Sequence, residues 1–169
     1  MESGDPHISA YIHKQVKLEQ IKKAVAMTQS VGIETNGFYI LGMLGENKKT
    51  IEATIELSHE LNTDFVIYNF AIPMPGTRLY EDCKKAGRLF FDGEKLYERT
   101  DGAHPLIRID GLSVKDLMRL YAQAYKQYYF RWRYIRGRLA RIRSWQDIQR
   151  NLNGFFQFVR WNLSAGCSR

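Results

Sequence analysis

Ile33-Glu34-Thr35-Asn36-Gly37-Phe38-Tyr39-Ile40-Leu41-Gly42-Met43-Leu44-Gly45-Glu46 and, further along, Asp64-Phe65-Val66-Ile67-Tyr68-Asn69-Phe70-Ala71-Ile72-Pro73-Met74-Pro75-Gly76-Thr77 decide how this chain folds. Each begins with a short apolar and aromatic run, Ile33 to Leu41 and Asp64 to Ala71, of the kind that forms a strand buried on both faces of a parallel sheet. Each then breaks into a loop rich in glycine or proline. Between them, Lys48 to Leu61 carries Ile51, Ile55, Ser58 and Leu61 at three- and four-residue steps, which is helical spacing. Strand, loop, helix, strand, loop is the signature of consecutive βα units.

The pattern extends in both directions. On the amino side, Lys17 to Val31 places Leu18, Ile21, Val25 and Thr28 on one face of a helix that Gly32 stops. On the carboxyl side, Arg78 to Ala86 reads as a helix closed by Gly87. Leu89 to Gly111 holds no long period and is punctuated by Asp92-Gly93, Asp101-Gly102, His104-Pro105 and Asp110-Gly111. Ser113 then caps a helix whose apolar face is Leu117, Leu120, Tyr121 and Ala124 and which runs past Tyr125, and Ser144 caps a final helix to about Trp161. The expected fold class is α/β, a partial (β/α) TIM-like barrel followed by a helical, basic and aromatic extension. Its divisions fall at residues 1–87, 88–112 and 113–169. Two strands are too few for a parallel sheet, so the barrel lacks its earlier strands or depends on another chain. Unpaired edges also favour self-association.

Charge divides the chain unevenly. Up to Tyr125 there are 15 Lys and Arg against 17 Asp and Glu; from Lys126 to Arg169 there are 10 against Asp147 alone. A near-neutral body therefore carries a basic tail in which Tyr128, Tyr129, Phe130, Trp132 and Tyr134 alternate with arginines. Three readings of that tail stand side by side: a peripheral membrane helix, a packing element covering the barrel, and a nucleic-acid surface, the last disfavoured by the lack of a recognisable binding module. No apolar run approaches the length of a membrane span, and the start shows neither a basic segment nor an apolar one, which places the protein in the cytoplasm.

Taken singly, Gly42 to Glu46 is a tight turn and Pro73 to Thr77 a rigid loop, each at a strand's carboxyl end, where open parallel sheets bind ligands. Taken together with Glu2-Ser3-Gly4, the segments Gly37 to Glu46 and Asn69 to Tyr80 resemble the second half of a radical S-adenosylmethionine (SAM) domain. More narrowly they resemble the class with an amino-terminal cobalamin-binding domain, which includes methyltransferases and the anaerobic magnesium-protoporphyrin ester cyclase type. The likeness covers Met1 to about Gly87 and extends more loosely to the tail.

The resemblance implies that Glu2 and Ser3 end a fourth strand and contact the ribose or methionine part of SAM. It places Gly37, Ile40, Gly42 and Glu46 beside the adenine, and Asn69, Ile72, Pro73, Pro75 and Gly76 over it, facing the substrate opening. It further implies a [4Fe-4S] cluster and cobalamin in the intact enzyme. The chain departs from the family in one decisive respect, since the CxxxCxxC loop that holds the cluster is absent and only Cys83 and Cys167 are present. The expectation is a carboxyl-terminal fragment, from a truncated or internally initiated gene, that supplies SAM and substrate contacts and is inactive without a partner bearing the amino-terminal half. The alternative is a non-catalytic scaffold whose tail docks membrane lipid or RNA. His7, His13, His59 and His104 show no metal-ligand spacing, and Glu94 and Glu98 read as a solvated helical face.

Overall fold

The computed structural model describes residues 3–12, 16–91 and 101–140. Two compact units divide the chain at Tyr128. The first contains helix α1 (Pro6–Tyr11), helix α2 (Leu18–Ser30), strand β1 (Asn36–Leu41), helix α3 (Lys48–Leu61), strand β2 (Phe65–Phe70), helix α4 (Arg78–Lys85) and helix α5 (Val114–Tyr129) up to its last residue; the second contains helix α6 (Trp132–Ala140). The chain is thus α/β, and the two strands pair in parallel, Asn36 opposite Phe65 through Leu41 opposite Phe70.

Helix α3 is set by its ends and its stripe. Asn47 accepts from the amides of Lys49 and Thr50 at its start, and Asn62 in the left-handed conformation ends it. Between them Ile51, Thr54, Ile55, Ser58 and Leu61 are buried. Helix α5 opens on Ser113, whose hydroxyl accepts from the Asp116 amide while Asp116 accepts from Ser113, a reciprocal cap. Its buried face is Leu117, Leu120, Tyr121, Ala124 and Tyr128.

Sheet faces are treated unequally. Gly37, Tyr39 and Leu41, with Val66, Tyr68 and Phe70, are buried in the core. Aromatic contacts bind that side of the sheet to α5: Tyr68 meets Tyr125 edge-on at 5.1 Å between ring centres and Phe70 stacks on Tyr121 at 5.0 Å. The opposite face carries Phe38, half exposed at 50%, and Ile67 at 37%, beside Ile40 and Asn69. Burial on both faces was expected from the apolar runs; among the described residues only one face is fully buried, because α3 and α5 both pack on the same side.

The two sheet edges differ as well. In a parallel pair alternate residues turn their peptide groups to opposite sides. At β2 the outward groups are occupied: the Tyr68 amide donates to the Tyr125 hydroxyl at 3.0 Å, that hydroxyl donates to the Tyr68 carbonyl at 3.2 Å, and the Phe70 amide donates to the Gly102 carbonyl at 2.7 Å. At β1, the outward peptide groups of Asn36, Phe38 and Ile40 have no backbone partner among the described residues. Among the described residues one edge is closed and the other open.

Helix α2 covers less than its periodicity promised. Ile21, Val25 and Thr28 are only partly buried, and no residue of the helix is fully so. It is tied to the end of α3 by polar contacts, Lys22 to Glu60 and Gln29 to the Asn62 carbonyl. Helix α1 was not foreseen, although Asp5-Pro6 is a start signal: Asp5 accepts from the amides of His7 and Ile8, and proline occupies the first turn. The described parts of the excursion after α4, residues 87–91 and 101–113, carry two isolated antiparallel bridges, Leu89 to Ile107 and Ile109 to Leu112. Glu2, Glu94, Glu98, Cys167 and the helix expected from Ser144 to Trp161 lie outside the described residues. Among the described residues no helix is long and apolar enough to cross a membrane.

Candidate functional site

Two loops follow the carboxyl ends of the parallel strands and a third segment, Ser3 to Asp5, leads into α1; each is fixed by a feature the sequence dictates. After β1, Gly42 and Gly45 both take positive φ, +74° and +86°, a conformation that other residues enter only with strain. Gly42 is also crowded: a Cβ there would come within 3.1 Å of the Phe70 ring. The turn closes on Glu46, whose amide donates to the Met43 carbonyl and whose Oε2 accepts from the Met43 amide at 2.8 Å.

Glu46 is 3% exposed, and its second oxygen, Oε1, meets no donor among the described residues. Burial is the main reason its carboxyl is pushed up to about 7, partly offset by the Met43 and Gly42 amides and reinforced by the nearby negative charge of Asp5. A buried carboxylate with one satisfied and one unsatisfied oxygen is poised to accept from a ligand's hydroxyl or amino group.

Asp5 arrives from the loop before α1, which is seated directly on α3. Ser3 is buried and its hydroxyl lies 3.3 Å from that of Thr54; the Gly4 amide donates to the Thr54 hydroxyl at 2.9 Å and the Asp5 amide to Ser3 Oγ at 3.1 Å. Glycine is required at position 4, because a Cβ would sit 2.4 Å from the Ala53 carbonyl oxygen, which is helix backbone and cannot yield. Across the loops, the Tyr11 hydroxyl donates to Asp82 of α4 at 2.7 Å; burial first, and then this bond to a carboxylate, raise the phenol to about 12.

The loop after β2 starts where the Ala71 amide donates to the Leu41 carbonyl, so it leaves the sheet beside the Gly42 turn. Pro73 is fully buried, Pro75 partly, and Gly76 exposed with positive φ. Ile72 packs on the buried pair Tyr80 and Leu106, so it serves the local core at least as much as an opening. Asn69 lies on the uncovered face against Gly102, where a Cβ would meet its Oδ1 at 2.9 Å. That contact brings Asp101 and His104, joined at 3.1 Å, to the same sheet end.

No family model matches the chain. Three curated relatives do. Identity is 28% over 131 residues to an uncharacterized methyltransferase of Pyrococcus horikoshii, covering 78% of this chain and 28% of that one. It is 26% over 119 residues to the cytidylyl-2-hydroxyethylphosphonate methyltransferase of Streptomyces wedmorensis (66% and 22%). It is 21% over 118 residues to the anaerobic magnesium-protoporphyrin IX monomethyl ester cyclase of Rubrivivax gelatinosus (70% and 20%). The matches thus span less than a third of each relative's length.

Of the residues expected to form the site, Gly42 and Glu46 lie in the turn at the carboxyl end of β1, Ile40 and Asn69 on the opposite sheet face, and Ser3 against Thr54 of α3. Gly37 stands apart. It is the second residue of β1, on the buried face, where a Cβ would be 2.7 Å from the Tyr39 ring and 2.9 Å from the Thr63 hydroxyl, so the packing of Tyr39 accounts for it. Asp5, whose charge acts on Glu46, and Asp101, beside Gly102, were not singled out from the sequence; an aspartate before proline and one before glycine are both turn signals, and nothing in the spacing distinguishes them from ordinary loops.

The described residues hold a single cysteine, Cys83, and at the β1 turn one buried carboxylate oxygen, Glu46 Oε1, without a partner among them. Cys83 is buried in α4 with its thiol raised to about 11, chiefly by burial, which opposes the thiolate that a metal requires. No group of three His, Cys, Asp or Glu that could hold a metal ion occurs among the described residues.

Proposed function

We propose that this chain is the carboxyl-side half of a radical SAM barrel of the cobalamin-associated class, and that it supplies the adenosine-facing wall and part of the substrate opening. One observation carries the reading: among the described residues, a βαβ unit with its helices on one side, an apolar sheet face that they leave partly exposed, and one strand edge closed while the other is open. That is the geometry of the last two strands of a barrel whose remaining strands continue from β1. The methyltransferase and cyclase relatives support the same class.

On this reading the Gly42 turn lets backbone approach SAM closely, Glu46 accepts a ligand proton donor at Oε1, and Ser3 and Asp5 hold the adjoining corner through Thr54. Pro75 and Met74 border the opening from the other side, and Asn69, pinned by Gly102, fixes its floor. Bound SAM supplies the methyl or adenosyl group; the chain's own residues bind it, orient it and limit the access of water. The [4Fe-4S] cluster does not fit this chain's cysteines, so its ligands are assigned to the amino-terminal half.

The test is anaerobic iron-sulfur reconstitution of the chain alone and of the chain joined to a cluster-bearing amino-terminal half from a relative. The joined protein is expected to form 5'-deoxyadenosine and the chain alone to bind no stoichiometric iron or sulfide. A stable cluster on the isolated chain would overturn the assignment.

A further inference from the structure

We infer that helix α6 is a docking element for an anionic phospholipid surface. The inference stands on the second structural unit and is independent of the radical SAM reading. Within α6, Trp132 is 72% exposed, and Arg133 and Arg136 are exposed beside it, one and four positions along. Those offsets place the indole and both guanidinium groups on one arc of the helix. Phe130, just before the helix, is 57% exposed.

The remaining aromatic of the helix is turned to other use. Tyr134 meets Tyr129 edge-on at 5.2 Å and lies under the Arg138 guanidinium at 5.9 Å. What α6 leaves open is therefore a large amphipathic ring flanked by arginines, not a row of stacking platforms.

Charge complementarity names the occupant. Lys126 to Arg169 holds 10 basic residues and one acidic residue, so the segment's field is strongly positive and little within it neutralises Arg133 or Arg136. Tryptophan settles at the headgroup level of a bilayer, where its ring is apolar and its N–H is wet, and arginines on the same arc pair with phosphates. A single-stranded nucleic acid would need successive exposed rings along a groove, which this helix lacks.

The test uses the full chain with Trp145 and Trp161 replaced by phenylalanine, leaving Trp132 as the fluorophore. Vesicles of phosphatidylcholine with about a third phosphatidylglycerol are expected to shift its emission to the blue and to sediment the protein. Pure phosphatidylcholine should do neither, and raised salt should release the protein. At roughly 1 kcal/mol per arginine near the surface, Arg133→Gln with Arg136→Gln should weaken binding on the order of thirtyfold. Equal binding to neutral vesicles would overturn the inference. So would salt-sensitive binding to a poly(U) RNA with no response to anionic vesicles, or vesicle binding that the double substitution leaves unchanged.

Discussion

Glu46 makes the stability of this protein depend on pH in a defined direction. Its carboxyl is raised from an ordinary 4.5 to about 7 in the folded chain. Between those values the native state holds a proton that the unfolded chain releases, so stability falls as pH rises through the window and levels off above about 7. The full contribution is on the order of 3 kcal/mol. Glu46→Gln should flatten that slope, read by urea denaturation at pH 5 and pH 8; an unchanged slope would place the titration elsewhere. Gly4→Ala should cost about 1–3 kcal/mol through overpacking against the Ala53 carbonyl, seen as a lowered Tm. At this scale the sequence was partly legible. The glycines of the β1 turn announced themselves by position, whereas the burial of Glu46 and the role of Asp5 arise from tertiary neighbours that no local pattern contains.

Among elements, the closed edge of β2 rests on the Gly102 carbonyl and on one hydroxyl, that of Tyr125. Tyr125 both accepts from the Tyr68 amide and donates to its carbonyl, so Tyr125→Phe leaves two buried peptide groups without this partner and should cost about 1–3 kcal/mol. Amide hydrogen exchange at Tyr68 should accelerate while β1–β2 pairing persists; unchanged protection would mean that the edge is held otherwise. Helix α3 and both strands were readable from the periodicity of Ile51, Ile55, Ser58 and Leu61 and from the apolar runs beside it, because local spacing and tertiary burial agree there. Helix α1 was missed because it is six residues long and has only Ile8 buried, too little for a period to register. Which sheet face would be covered was not legible either, since both strands are apolar on both sides and the choice belongs to where α3 and α5 pack.

For the whole molecule, an uncovered apolar face beside an open strand edge predicts association. The isolated chain should form concentration-dependent dimers by light scattering, and Phe38→Lys, at a half-exposed position that the core does not need, should shift it toward monomer. A monomer at every concentration would show that the face is covered from within the chain. The division between a near-neutral body and a basic tail was fully legible from charge, and the structure assigns part of that tail, α6, to a separate compact unit. The βαβ order was legible from the sequence, and the βαβ unit is observed; the remainder of a barrel is proposed from the open edge and from relatives more than three times as long as the matched segment.

The central claim, that the carboxyl-end loops form the adenosine-facing wall of a SAM site, is tested most directly by amide NMR of the chain titrated with S-adenosylhomocysteine to millimolar concentration. The account predicts shifts confined to Ser3 to Asp5, Gly42 to Glu46 and Ile72 to Gly76, diminished in Glu46→Gln. Shifts elsewhere, or none at these three loops in a folded chain, would contradict it.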